Sequence, residues 1–447
     1  MIVLLFWLAA RFSSGGPLFG LYTRKVFVGL LMLSYLLAAA TYLVAGSQSQ
    51  KEKITRLMLG SASVLIMVGL LELPALLGWV DYSKFLALPE SVQFTNRKPW
   101  QQSHNRFDPE LLFIHGSNLH FRGETQGDLV TWLGIATDRR YPVDVQYDAH
   151  GFRNNGELTQ APIVAIGDSF VEAGLVSHAD LMTTHLSRAF QCEVANLGQG
   201  AYGPQQELMV LRRYALPLRP RVVLWFFFEG NDLSDVPRFE RFQKEALDDF
   251  RSTSFGDRSL VKNTLEVLAW LSKPRIKEDS REAVRRSCTV RTSPGEKIYF
   301  AYPGSPLNDQ DLAALKLTQG TLLEAHELAE ANNARFLLVY IPTKFRVYRD
   351  SCDFPPQGYG HKWQPSDLPQ RLEQWSRDHS VSFLDLTPPL QAAAARGELV
   401  YFADDGHWNA KGNETVTAAV TDFLSQNGWL APDSQNRKGA ALKGEHK

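Results

Sequence analysis

The sequence predicts an α/β protein in which a mainly parallel sheet is covered on both faces by helices, preceded by two transmembrane helices. Three observations predict it. Five apolar strand-like runs alternate with helical stretches from Pro162 onward, the pattern of a parallel sheet buried on both sides. Two long, nearly charge-free stretches lie within the first eighty residues. The polar blocks richest in chemistry fall just after the apolar runs, at the strand ends where open α/β sheets bind ligands.

The chain's 447 residues suffice for one large domain with appendages, and 44% of them are hydrophobic. A net charge of -1 and a pI near 6.8 lack the basic footprint of a nucleic-acid partner. Residues 1–25 form an N-terminal segment whose opening "MIVLLFWLAA" is too short to span a bilayer and lacks a signal-peptide cleavage pattern. Residues 26–80 hold the two spans. Val26 to Gly46 carries no charge, and Leu57 to Val80 is interrupted only by Glu72 and Pro74. Lys51, Lys53 and Arg56 in the Ser47–Arg56 connection suit a cytoplasmic loop, which puts the bulk of the chain outside the cytoplasm. Arg11, Arg24 and Lys25 pull the other way.

Residues 81–160 are polar and turn-rich, with short strand-like runs such as "LLFIHG", "LHFRG" and "PVDVQYD", and read as a linker with some β-structure. The main domain is expected over 161–430. Its strands are "PIVAIG", "CEVANL", "RVVLWFFF", "RFLLVYI" and "VSFLDL", separated by helices at His178–Phe190, Gln205–Tyr214, Asp309–Asn332 and Leu368–His379. Between 235 and 307 the alternation lapses into a stretch rich in both charge signs, read as a solvated insertion. The polar tail, 431–447, is expected to be disordered. Three cysteines are too few for a disulfide framework. Cys192 suits a buried strand position, while Cys288 and Cys352 lie in loop-like sequence where an oxidising compartment would let them pair.

The first apolar run ends in Gly167-Asp168-Ser169, where Ser169 fits two roles, a helix N-cap or a nucleophile. The remaining blocks decide between them. "NLGQGAYGPQQE" follows the second run, "EGND" the third, and "YFADDGHWNAKG" the fifth run and a helix. Activating a serine hydroxyl takes a base, for which His407 is the candidate, and an acid to orient that base. Asp404 shares a face with His407 if the segment is a helical turn, and Asp405 does so if it is extended. Asp404 is slightly preferred. Oxyanion donors are available in the Ser169 amide, a glycine-loop amide and the Asn231 side chain. His326 and His379 lie in helical, polar surroundings and suit the surface, and Trp363, Trp375 and Trp408 suit packing better than a sugar platform.

These blocks resemble the SGNH (GDSL-type) hydrolase superfamily over roughly residues 160–430. Ser169 in GDSF, the glycine loop at Gly200, Asn231 in GND, and Asp404 with His407 match its four blocks in order. A one-residue shift puts Ala201 in the glycine slot, tolerable if its φ stays negative. "DDGHWN" also offers an Asp-x-His, similar to membrane-linked relatives that move acetyl groups on exopolysaccharides. The resemblance implies a flavodoxin-like three-layer α/β/α domain with Ser169, His407 and Asp404 or Asp405 as catalytic residues. The oxyanion hole would comprise Ser169, Gly200 and Asn231. It implies no metal and no organic cofactor, and a small-molecule or carbohydrate acyl ester as substrate. The expected activity is that of a membrane-anchored serine esterase acting on an envelope carbohydrate or lipid. The alternatives are an O-acyltransferase acting on a secreted glycan and a glycan-binding module without turnover.

Overall fold

The computed structural model describes residues 1–12, 18, 21–86, 104–251, 255–271, 278–293 and 295–431. The expected disordered tail lies outside these residues from 432 onward. The chain divides into two compact units, Met1–Asn96 with Leu247–Arg275, and Arg97–Ala246 with Ile276–Lys447.

In the first unit, α1 (Ile2–Arg11) precedes α2 (Arg24–Val44) and α3 (Gln50–Leu76). Helices α2 and α3 are long and apolar enough to cross a membrane, with mean hydropathies of 2.0 and 1.9 in their most apolar windows. The connection between them is shorter than expected. Ser49 caps α3 by accepting from the Glu52 amide at 3.3 Å, so Lys51, Lys53 and Arg56 occupy the first helical turns instead of a loop. Lys53 reaches back to the Leu43 and Gly46 carbonyls, supplying donors that the end of α2 lacks. Three further helices, Tyr82–Phe85, Phe255–Arg258 and Leu260–Leu271, lie in this unit.

The second unit opens with two antiparallel ribbons. One pairs β1 (Asn105–Asp108) with β2 (Leu112–His115); the other pairs β3 (His120–Thr125) with β4 (Tyr141–Gln146). Next come β5 (Ile163–Gly167), β6 (Val194–Gly198) and β7 (Val222–Phe228). They are followed by β8 (Ser287–Val290), β9 (Lys297–Tyr299), β10 (Arg335–Ile341), β11 (Cys352–Asp353) and β12 (Ser382–Asp385). The main sheet is parallel, in the order β12-β10-β7-β5-β6. This is the flavodoxin-like order, and it reverses direction at β5, the position that opens a crevice at the carboxyl ends of the strands.

Alternation along each strand builds a core on either face. Val164, Ile166, Trp225 and Leu338 point to a cluster that includes helical Leu315, Leu322 and Leu372. Ile163, Ala165, Phe226 and Val339 point to the opposite cluster with Leu186, Leu390 and Val416. The five expected strands are all present in this sheet.

The 235–307 stretch is not uniform. Its middle belongs to the first unit, whereas β8 and β9 join β11 in an antiparallel sheet of the second. There Cys288 and Cys352 form a disulfide across the β8–β11 pair, while Cys192 is free. The disulfide closes a loop with a sequence separation of 64. A loop of that length restricts the unfolded chain enough to stabilise by roughly 2–4 kcal/mol. Cys288→Ala should therefore lower the unfolding free energy of the purified, detergent-solubilised chain by about that amount, read as a lower denaturation midpoint. An unchanged midpoint would contradict a structural role.

Candidate active site

Each parallel strand but β12 delivers part of one polar cluster through the loop at its carboxyl end. After β5 the chain turns into a short helix, Ser169–Glu172, whose N-cap is Asp168 and not Ser169. Asp168 accepts from the Phe170 amide at 2.9 Å, which leaves the Ser169 hydroxyl free of capping. That hydroxyl meets His407 Nε2 at 2.7 Å. Ser169 and His407 are 238 residues apart in sequence and are joined only by the fold.

The expected preference for Asp404 is not what the geometry delivers. His407 Nδ1 lies 2.6 Å from Asp405 Oδ1, and the same oxygen accepts the His407 amide at 2.8 Å. The segment is a tight turn in which residues two apart face each other. Asp404 instead accepts from the Tyr141 hydroxyl.

Asp405 is fully buried, and its other oxygen accepts the Asp128 amide at 2.8 Å. Burial works against ionisation, but His407 and the Asp128 donors hold Asp405 well below the usual carboxylate range. Burial also works against a charged imidazole, yet the adjoining Asp405 outweighs it and pushes His407 up to about 9. Burial and then Asp405 push the Asp128 carboxyl well above its ordinary range. Of the two acids, Asp405 is the ionised one and Asp128 holds the proton.

Sequence reasoning missed Asp128, which lies in the stretch read as a linker. Its neighbour Gly127 is required by close approach, since a Cβ there would sit 2.0 Å from the Asp404 carbonyl oxygen. Lys344, just past β10, was missed as well. It is buried and donates to the carbonyls of Phe402, Ala403 and Asp405 at 2.6–3.0 Å, tying down the loop that carries both acids. Burial lowers its ammonium to about 7.

Asn231 follows β7, and its amide donates to Asp235 at 2.9 Å and also meets Asp168. The Gly200 amide is spent on Glu172 Oε2 at 2.5 Å. The condition set for Ala201 fails, because its φ is +65°. Glu172 gathers His115 Nε2 at 2.9 Å and the Tyr147 hydroxyl at 2.6 Å, so the upstream ribbons brace the serine helix from behind. Trp408 and Trp375 are buried, and Trp363 packs against Phe345. His379 stacks on Trp375, and His326 is buried against Phe336, not exposed as expected.

Asp128, Asp405 and His407 each present a ligand-type atom within 4.8 Å of the others, the one such trio among the described residues. Both ring nitrogens of His407 already have partners in Ser169 and Asp405, so the trio reads as a hydrogen-bonded chain leading to the serine.

Residues 305–445 match the family model described as SGNH hydrolase-like domain, acetyltransferase AlgX, a segment that includes Asp405 and His407 but not Ser169. No curated protein sequence matches the chain. Several solved structures align with it at low identity. A lipase/acylhydrolase from Enterococcus faecalis is 17% identical, with 61% of this chain and 98% of that one covered and a TM-score of 0.32. A catalytic mutant of an acetylxylan esterase from Geobacillus stearothermophilus is 12% identical, with 62% and 98% covered and a TM-score of 0.32. A GDSL-like lipase from Bacteroides thetaiotaomicron is 14% identical, with 59% and 88% covered and a TM-score of 0.30. The family match identifies residues 305–445 as an SGNH hydrolase-like segment, and its Asp405 and His407 stand in line with Ser169 from outside it.

Glu172 generates a stability prediction. Burial opposes its charge, but His115, Tyr147 and the Gly200 amide hold it at about 2. A carboxylate lowered to that value from about 4.5 contributes about 3 kcal/mol at neutral pH. The contribution is complete above about 4.5 and is lost as pH falls toward about 2. Glu172→Gln should flatten the stability profile in that window and lower stability at pH 7. A profile that keeps its acid slope would remove Glu172 as the cause.

Proposed function

We propose that this chain is a membrane-anchored serine enzyme that cleaves an ester-linked acyl group through an acyl-enzyme on Ser169. The observation that carries the reading is the unbroken line from Ser169 Oγ through His407 to buried Asp405. In the first step Ser169 Oγ attacks the ester carbonyl carbon as His407 Nε2 takes its proton. The C–O bond then breaks, and His407 returns the proton to the departing alkoxide. Water, deprotonated by the same histidine, releases the acid and restores Ser169. Asp405 fixes the imidazole tautomer and balances its charge, and Asp128 holds Asp405 from behind. The Ser169 amide and Asn231 are the oxyanion donors, Asn231 turning from Asp235 and Asp168 as the oxyanion forms. The expected Gly200 amide is already taken by Glu172 Oε2.

A second outcome, transfer of the acyl group to a sugar hydroxyl, is favoured by two observations. The acid–base pair is an Asp-x-His, and the family model that matches is described as that of an acetyltransferase. The chemistry on Ser169 is the same in both outcomes, and only the final acceptor differs. Half-exposed Trp132, four residues from Asp128, offers a flat apolar face of the kind sugar rings stack on. The main domain and its disulfide suit an extracytoplasmic, oxidising compartment, with the α2–α3 connection inside.

Short p-nitrophenyl esters and acetylated sugars, offered to the purified full chain with and without a sugar acceptor, test the reading. Ser169→Ala and His407→Ala should each abolish turnover of both kinds. Asp405→Asn should cost far more than Asp404→Asn, and Asn231→Ala should lower kcat by roughly 10²–10³. Retained turnover in Ser169→Ala would contradict this mechanism, and no turnover in the unaltered chain would leave a binding module without catalysis.

The pH dependence follows from His407. Only the neutral imidazole accepts the serine proton, so kcat/KM should rise with pH through an apparent pKa above 6.5, toward about 9. Asp405→Asn should move that limb to lower pH, because the charge that raises His407 is gone. A limb that stays in place would mean another group controls it.

A further inference from the structure

Glu72 and Pro74 interrupt the second apolar stretch, and the chemistry at Ser169 uses neither. Glu72 lies in α3, is 8% exposed, and has an unusual set of partners. Its carboxylate accepts from the Ser259 hydroxyl at 2.8 Å, the Val261 amide at 2.7 Å and the Leu260 amide at 3.1 Å. It therefore caps the Leu260–Leu271 helix, part of a segment inserted into the hydrolase sequence more than 180 residues later. At the far end of that helix, Ala269 is buried in one cluster with Leu18, Tyr22 and Leu30.

These two anchor points fix how the helix lies. Glu72 is four residues from the end of α3 and Leu30 six from the start of α2. At 1.5 Å per residue those positions are about 6 Å and about 9 Å from the helix ends. The Tyr35–Ser61 contact sets the two helices side by side, with Leu30 about 8 Å and Glu72 about 17 Å beyond it, so the Leu260–Leu271 helix slopes from the end of α3 toward Leu30 in α2. Its outer side is apolar. Val261, Leu265, Leu268 and Leu271 recur at i, i+4, i+7 and i+10, and Val261, Leu268 and Leu271 are exposed. Lys262, paired with Asp257, lies off that stripe. Helix α1 contributes Leu5, Phe6, Ala9 and Ala10 to the same cluster as Ala269 and leaves Val3, Leu4 and Trp7 exposed.

We propose that the Leu260–Leu271 helix is a membrane-surface helix, docked on the hairpin by Glu72, whose Val261–Leu265–Leu268–Leu271 stripe enters the lipid acyl layer just beneath the headgroups. The inference rests on the reading of α2 and α3 as membrane spans. The occupant is lipid because the stripe is exposed on a helix packed against α3, whose own Leu70, Leu71, Leu73 and Leu76 around Glu72 are exposed as well. In water the same stripe would be an uncompensated apolar patch beside two others. An amphipathic helix at that depth matches the interfacial mode of binding, with the polar side toward the headgroups. It makes the insertion a second tether, so the hydrolase domain is held by chain that leaves it and returns, and not by the α3 connection alone.

The test is depth-dependent fluorescence quenching on the full chain in phosphatidylcholine vesicles. Free Cys192 is first replaced (Cys192→Ser), and a nitrobenzoxadiazole probe is placed on L268C, K262C or V64C. Lipids brominated on the acyl carbons nearest the headgroup should quench L268C strongly and K262C weakly. Lipids brominated deep in the chain should quench V64C, in the middle of α3. Glu72→Ala should abolish most of the L268C quenching while leaving V64C unchanged. V261C, on the same stripe, repeats the measurement should L268C misfold. Quenching of V64C without L268C or V261C would overturn the proposal and leave the spans standing. Loss of quenching at all positions would overturn both. The readout needs no turnover, so it is independent of the fate of the acyl-transfer reading.

Discussion

The site depends on one buried carboxylate. Asp405 is removed from water, accepts two hydrogen bonds from His407 on one oxygen, and accepts the Asp128 amide on the other. A buried charge persists only where its partners are fixed, because desolvation otherwise drives it to take up a proton. Three separate parts of the chain meet that requirement. Lys344 grips the loop's carbonyls, Tyr141 holds the neighbouring Asp404, and Gly127 lets the upstream segment approach to backbone contact. The histidine is in line with Ser169 because this loop cannot relax.

The same logic explains why the stretch before the sheet folds in one unit with it. Residues 104–160 provide Asp128 and Tyr141 to the acid side of the site, and His115 and Tyr147 to the serine side. Arg153 adds bonds to the carbonyls of Glu172, Ala173 and Val176. These residues surround the two short segments that must keep register with each other, the Ser169 turn and the Asp405–His407 turn. A minimal α/β/α sheet supplies the strand ends, and this extra layer supplies the rigidity.

Much of this was legible in the chain. The five strands were readable because parallel strands buried on both faces are continuous apolar runs, Ser169 and Asn231 because they stand where those runs end, and His407 because two acids precede it in the last polar block. The choice between Asp404 and Asp405 was not, since a helical turn and an extended turn favour different acids and nothing local selects one. Asp128 and Lys344 were hidden for another reason. Each is an ordinary charged residue in sequence and becomes distinctive only through contacts with residues far away in the chain. The Ala201 backbone, at φ +65°, likewise carries no sequence mark, because alanine gives no hint of a left-handed turn.

The central claim is that Ser169 is a nucleophile activated by His407 and not a structural hydroxyl. The most direct measurement is intact-protein and peptide mass spectrometry of the full chain after treatment with a fluorophosphonate. The account predicts a single adduct on the peptide containing Ser169, which His407→Ala slows severely and Ser169→Ala eliminates. An unmodified Ser169, or an adduct that forms at the same rate without His407, would contradict it.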